Sequence, residues 1–302
     1  MDLIRAIEQK NYNPTVVGLD PRPDLLPEEL VAAARKKYGN GMKALAEATY
    51  AFNCGILDAV CDIVPAVKPQ SAFYEMLGSP GVQVLERTVK YAKKLGLYVI
   101  LDAKRGDIGS TAEAYSAAYL GKTDVFGTAR RAFSPDALTV NAYLGADGIR
   151  PFLADCRAGR MIFALVKTSN PSSGELQDRL IGEMPVWRVM AELTEEWSKG
   201  LRRSHGYSPL GIVAGATYPS ELKELRKLLP HTFFLVPGYG AQGGKAADVT
   251  GAFDSEGLGA LVNSSRGILF AYKKSGGDYK TAARDAALAM KKDLLGALAH
   301  RG

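Results

Sequence analysis

Cysteine and histidine are scarce in this chain, and each scarcity removes a class of chemistry. Three cysteines (Cys54, Cys61, Cys156) are spread over 302 residues. They form no C-x-x-C pair, and their odd number and wide spacing offer no disulfide framework and no thiolate metal site. Cys54 and Cys61, seven positions apart on an apolar helical face, read as buried packing residues. His205, His231 and His300 are isolated in polar or terminal surroundings, which leaves no His-dependent triad and no histidine cluster for a metal. No apolar run approaches the ~18 residues of a membrane span. The start, Met1-Asp2-Leu3-Ile4-Arg5, has no signal-peptide core. These absences predict a soluble, cytoplasmic protein without a metal.

Charge of one sign is also in short supply. Lys plus Arg (38) exceed Asp plus Glu (32) by only six. The basic residues fall in scattered pairs such as Lys36-Lys37, Lys93-Lys94 and Arg202-Arg203. No long basic run and no aromatic-interleaved basic stretch occurs, so a nucleic-acid surface is not expected. A modest positive balance suits a small anionic substrate.

What the chain has is alternation. Eight short apolar runs rich in β-branched residues read as strands: Thr15–Leu19, Ile63–Val67, Tyr98–Leu101, Ala137–Val140, Met161–Val166, Leu210–Ala214, Phe233–Val236 and Gly259–Val262. Helical periods lie between them. Met42, Leu45, Ala46, Phe52, Ile56, Leu57 and Val60 mark one helix; Val82, Leu85, Val89, Ala92 and Leu95 mark another, stopped by Gly96. Further helices are predicted over 149–156, 187–201, 220–229 (with Ser220 as N-cap), 267–273 and 279–299. Strands alternating with helices imply right-handed βαβ units and a parallel sheet. Eight of them favour closure into an α/β (β/α)8 barrel, and no G-x-G-x-x-G opens the first unit to support a dinucleotide fold. We read 1–302 as one such domain, with extended segments at about 21–41 and 169–207. Trp187, Met190, Ala191, Thr194 and Trp197 then form the face of a helix packed on the barrel wall.

In such a barrel the active site lies at the carboxyl ends of the strands. The third strand ends in Asp102-Ala103-Lys104-Arg105-Gly106-Asp107. Side chains two apart on a strand share a face, so Asp102 and Lys104 point together. An isolated D-x-K-x-x-D is more often a solvated strand end with an ion pair. Here, however, the other strands end in Asp20, Lys68-Pro69-Gln70, Asn141-Ala142-Tyr143, Lys167-Thr168-Ser169-Asn170 and Gly215-Ala216-Thr217, all expected at one mouth. The seventh and eighth run into Pro237-Gly238-Tyr239-Gly240-Ala241-Gln242-Gly243-Gly244 and Asn263-Ser264-Ser265-Arg266-Gly267. Glycines let backbone N–H groups converge on an anion and Arg266 can grip two oxygens at once, the usual phosphate site of this fold.

Taken together, these motifs resemble the orotidine 5′-phosphate decarboxylase family, in its longer bacterial branch. Asp102 to Ile108 is similar to the family's D-x-K-x-x-D-I signature, Pro237 to Gly244 to its phosphate loop, and Val166 to Pro171 to its fifth-strand end. Asp20 and Lys68 fit as well, so the likeness runs from about Val16 to Arg266. It implies conversion of orotidine 5′-phosphate to uridine 5′-phosphate and CO2 in de novo pyrimidine biosynthesis, with no cofactor. By the same resemblance Lys104 is the proton donor, Asp102 faces the departing carboxylate, and Lys68 completes the charged array. Asp20 binds the ribose, Ser169 (or its neighbour Thr168) the pyrimidine, Gln242 bridges base and phosphate, and Arg266 holds the phosphate. Asp107, Ile108 and Thr111 reach the neighbouring subunit's site, which makes a homodimer the working unit.

Three other readings use the same residues. A sugar-phosphate decarboxylase or aldolase of the superfamily needs Mg2+ and extra carboxylates near the second strand, where this chain has Lys68. A Schiff-base aldolase would be built on Lys104. A non-catalytic phosphate-binding barrel has no use for the complete charged array.

Overall fold

The computed structural model describes residues 2–240 and 242–300. Eight parallel strands close into a barrel: β1 (Thr15–Leu19), β2 (Ala66–Pro69), β3 (Tyr98–Arg105), β4 (Ala137–Val140), β5 (Met161–Lys167), β6 (Leu210–Ala214), β7 (Phe234–Val236) and β8 (Ala260–Ser264). Each strand neighbours the next in sequence, and β1 pairs with β8 (Thr15 opposite Val262) to complete the ring. Both faces of most strands are buried, which is why they read as continuous apolar runs rather than alternating ones.

Strand parity sorts the core into two shells. Val16, Ala66, Tyr98, Ile100, Ala137, Phe163, Val213, Leu235 and Leu261 point inward and pack together. Val17, Val67, Val99, Leu101, Leu138 and Val262 point outward against the helices. The inner shell is completed by Leu3, Ile4 and Ile7 of a short helix, Leu3–Glu8, whose N-cap Asp2 accepts a hydrogen bond from the Ile4 N–H at 3.0 Å. Inward parity carried two residues past Ile100 reaches Asp102, two past Ala66 reaches Lys68, and two past Ala137 reaches Thr139. The periodicity that fills the barrel therefore aims these side chains into its mouth.

Several boundaries differ from the sequence expectation. β2 starts at Ala66, because Pro65 cannot donate to the ladder and Ile63 and Val64 lie in the turn before it. Ser220 is not an N-cap: the helix Pro219–Leu228 begins at Pro219, with Tyr218 as cap, and the Ser220 hydroxyl donates to Glu221. The expected 267–273 helix is two short turns, Arg266–Leu269 and Tyr272–Ser275. Only Cys156 is buried; Cys54 and Cys61 are half-buried. The extended segments hold a helix (Glu28–Tyr38) in the first and a short helix (Gly174–Gln177), a two-stranded hairpin (Leu180–Ile181 with Met184–Pro185) and the Val186–Ser198 helix in the second. Trp187, Ala191 and Thr194 of that last helix are buried against the barrel as expected. A hairpin of Thr123–Val125 and Thr128–Arg130 interrupts the β3–β4 connection and has no counterpart in the apolar periodicity, its strands being fully exposed. Among the described residues no helix is long and apolar enough to cross a membrane.

Candidate active site

A cavity of about 470 Å³ opens at the carboxyl ends of the strands. Leu165, Val213 and Leu235, from β5, β6 and β7, form its apolar floor. Asp20, Lys68, Asp102 and Lys104, from the ends of β1, β2 and β3, form a charged wall.

Asp102 is the hub of that wall. Its Oδ2 accepts from Lys68 Nζ at 2.7 Å and from Gln70 Nε2 at 3.0 Å. Its Oδ1 accepts from Lys104 Nζ at 2.7 Å and from the Thr139 hydroxyl at 2.8 Å. Burial alone would raise the Asp102 pKa, but the Lys68 and Lys104 ammoniums outweigh it and hold the carboxyl well below the usual carboxylate range. Burial would likewise lower the Lys68 pKa, and the Asp102 and Asp20 carboxylates reverse that, so it lies above its ordinary value. Asp102 and Lys68 are thus both ionised at neutral pH. Asp20 keeps one buried oxygen, Oδ1, without a hydrogen-bond partner among the described residues. A buried acceptor left open at a cavity wall is a place for a ligand donor.

Lys104 stands on a contorted main chain. Its φ is +48°, a left-handed conformation rare for a side-chain-bearing residue, and the β3–β4 register shifts between Leu101 and Arg105. Its N–H, turned from the regular ladder, donates to Thr139 Oγ1 at 2.9 Å.

The rim beside β7 and β8 is made largely of small residues and loop backbone. Gly238, with φ +101°, turns the loop after β7, and Gly240 and Gly243 fold it back, the Gly240 N–H donating to the Gly244 carbonyl at 2.8 Å. Ala241 of this loop lies outside the described residues. Gln242, Ser265 and Arg266 line the cavity here. Gly18 on β1 is required by proximity: a Cβ there would stand 1.9 Å from Ser265 Oγ. The result is a cavity lined by an ionic wall, a glycine loop and a guanidinium.

The match to a model of the orotidine 5′-phosphate decarboxylase / HUMPS family runs over residues 17–277, nearly the whole barrel. The chain belongs to that family. It is 49% identical over 261 residues to the orotidine 5′-phosphate decarboxylase of Rhodopirellula baltica, covering 86% of this chain and 84% of that protein. It is 43% identical over 272 residues to the enzyme of the same name from Caldicellulosiruptor bescii, covering 90% and 89% of the two chains. Among solved structures, the Leishmania donovani OMP decarboxylase superposes with a TM-score of 0.70 at 27% identity, covering 96% of this chain and 99% of that one.

Of the residues singled out by sequence, the fold brings Asp20, Lys68, Asp102, Lys104, Ser169, Gln242 and Arg266 to this one family cavity. Asp107, Ile108 and Thr111 lie outside it; Ile108 is 53% exposed, and its N–H donates to Asp107 Oδ1 at 2.8 Å. Asn141 and Tyr143 also miss the mouth, because the Asn141 side chain instead accepts from the Tyr143 N–H in a surface turn. Thr168 and Ser169 both line the cavity but are held differently. Thr168 is bound at its N–H and hydroxyl by Gln177, at 2.9 and 2.7 Å, whereas Ser169 lies against Gly215 and Gly238. Gln70, Thr139, Gln177 and Asn263 line the cavity and carry no role in the sequence reading. Thr139 is the lone polar residue of the Ala-Leu-Thr-Val strand and shares parity with Ala137, a signal available beforehand. Gln177 sits beyond a loop and gives none.

Proposed function

We propose that this chain decarboxylates orotidine 5′-phosphate to uridine 5′-phosphate and CO2. The observation that carries the reading is the suspension of one buried carboxylate, Asp102, between the ammoniums of Lys68 and Lys104, in a cavity also lined by the glycine loop after β7 and by Arg266. Breaking the bond from C6 to the carboxyl carbon leaves an electron pair on C6 in the plane of the pyrimidine, outside the π system. A cation held in that plane stabilises the pair, and an ammonium then delivers a proton to the same carbon. Lys104 takes both tasks and recovers its proton from solvent. Asp102 stands beside the departing carboxylate and keeps Lys104 aimed; Lys68 holds Asp102 from its other oxygen.

Asp20, with its open buried oxygen, accepts from the ribose hydroxyls. Ser169 contacts the pyrimidine, since the Thr168 hydroxyl is committed to Gln177 and Asn170. Gln242 bridges base and phosphate, and Arg266 grips the phosphate together with loop N–H groups. Asp107, Ile108 and Thr111 serve the cavity of a second copy in a homodimer. In support, Ile108 is exposed beside Asp107, and exposed Tyr143 and Leu144 lie on the neighbouring connection, with Gly148 packed against both Asp107 and Leu144. The three free thiols and the want of a membrane-crossing helix among the described residues suit a cytoplasmic enzyme.

The test is the loss of pyrimidine absorbance on mixing purified protein with orotidine 5′-phosphate. Turnover that survives EDTA supports the reading. Absence of turnover refutes it, and activity abolished by EDTA moves the chain to the metal-dependent sugar-phosphate branch.

A further inference from the structure

We infer that Thr139 is a positioning residue for this reaction, one hydroxyl fixing both the Asp102 carboxylate and the main-chain twist that presents Lys104. The inference rests on the assignment of Lys104 and Asp102 above. Thr139 is 1% exposed and points into the barrel from β4. Its oxygen accepts from the Lys104 N–H at 2.9 Å and its proton goes to Asp102 Oδ1 at 2.8 Å. The polarity is not free to invert. A backbone N–H only donates, and an ionised carboxylate only accepts, so the single hydroxyl proton has one destination.

The arrangement closes a ring. Lys104 is tied at its N–H to Thr139 and at its Nζ to Asp102, and Thr139 and Asp102 are tied to each other. This ring spans the place where the β3–β4 ladder loses register and where Lys104 takes its positive φ. A side chain thus replaces the strand partner that the ladder no longer supplies. Strained backbone persists only where its surroundings over-determine it, and Thr139 is the group that does so here. The hydroxyl is also one of two donors on Asp102 Oδ1; without it that oxygen is held by Lys104 alone, and carboxylate and ammonium can swing together.

Thr139→Val keeps the branched shape and removes both hydrogen bonds, while Thr139→Ser keeps the hydroxyl and removes a methyl. The expected result is a roughly ten- to hundred-fold fall in kcat for Thr139→Val, with affinity for uridine 5′-phosphate changed by no more than about three-fold, and recovery of most of kcat in Thr139→Ser. A merely structural role would move product affinity and kcat together. Wild-type kcat in Thr139→Val, or an equal loss in both variants, overturns the inference. Should the valine variant fail to fold, Thr139→Ala against Thr139→Ser makes the same comparison. Lys104→Ala, assayed alongside, separates the two levels: an active Lys104→Ala enzyme refutes the underlying assignment, whereas an inactive one with a fully active Thr139→Val refutes only the role of Thr139.

Discussion

Lys68 Nζ lies 2.7 Å from Asp102 Oδ2, with the two side chains 5% and 9% exposed. The ion pair joins adjacent strands inside the barrel mouth, where desolvation is costly and a missing partner is felt in full. Truncating Lys68 to Ala leaves the buried carboxylate with Lys104, Gln70 and Thr139 only. We expect a loss of about 3 kcal/mol of stability, the lower end for breaking a buried pair, read as a shift of the urea midpoint.

The same pair sets a pH signature. Asp102 has a folded pKa below its unfolded one, so its contribution is complete above the ordinary carboxylate pKa of about 4 and is lost as pH falls through the lower, folded value. Lys68 has a raised folded pKa, so its contribution is complete below about 10 and is lost as pH rises through the higher, folded value. Stability carried by the pair is therefore level through neutrality. Between pH 5 and 2 the wild-type protein should lose about 2 kcal/mol more than an Asp102→Asn variant does. Parallel acid limbs in urea titrations of the two proteins would contradict this.

Asp107 and Lys104 are close in sequence, yet only Lys104 faces the cavity of its own chain. If Asp107 serves a second copy, a Lys104→Ala chain and an Asp107→Ala chain repair each other when mixed and refolded. In a random dimer population about one quarter of all sites then carry both residues, and about that share of activity should return. Mixed dimers as inactive as the separate variants would show that each site is built from one chain.

Arg266 lines the same cavity as the charged wall. Removing a guanidinium that holds a phosphate costs about 3 kcal/mol, so Arg266→Ala should lower kcat/KM for the nucleotide by more than a hundred-fold. The phosphate-free nucleoside should be turned over almost as well by variant as by wild type. Equal losses on both substrates would place Arg266 in some other role.

The eight strands were legible because a buried parallel barrel writes each as an apolar run, and the same two-residue period that places Ile100 inside places Asp102 there. Polar residues at strand ends were legible for the same reason. What the period does not carry is what happens when a strand loses regularity. The positive φ of Lys104 and its hydrogen bond to Thr139 arise at a register shift that no propensity marks. Gln177 reaches Thr168 from beyond a loop, and Asn141 turns to the Tyr143 N–H rather than to the mouth. Ser220 failed as a cap for a local reason: Pro219 already supplies the fixed φ of a first helical turn, which pulls the start one residue earlier.

The pairing of Thr15 with Val262 has a consequence for how the molecule is made. Synthesis produces β1 early and β8 late, so a growing chain carries one unpaired edge on β1 and a second on each newest strand until Ala260–Ser264 has emerged. Such edges invite association with other chains. Asn263, Ser265 and Arg266 arrive with that closing strand, so the cavity they line is completed in the same step that removes the open edges. Any ligand held by these residues recognises only a finished ring, and by mass action it would protect the newly closed barrel against reopening.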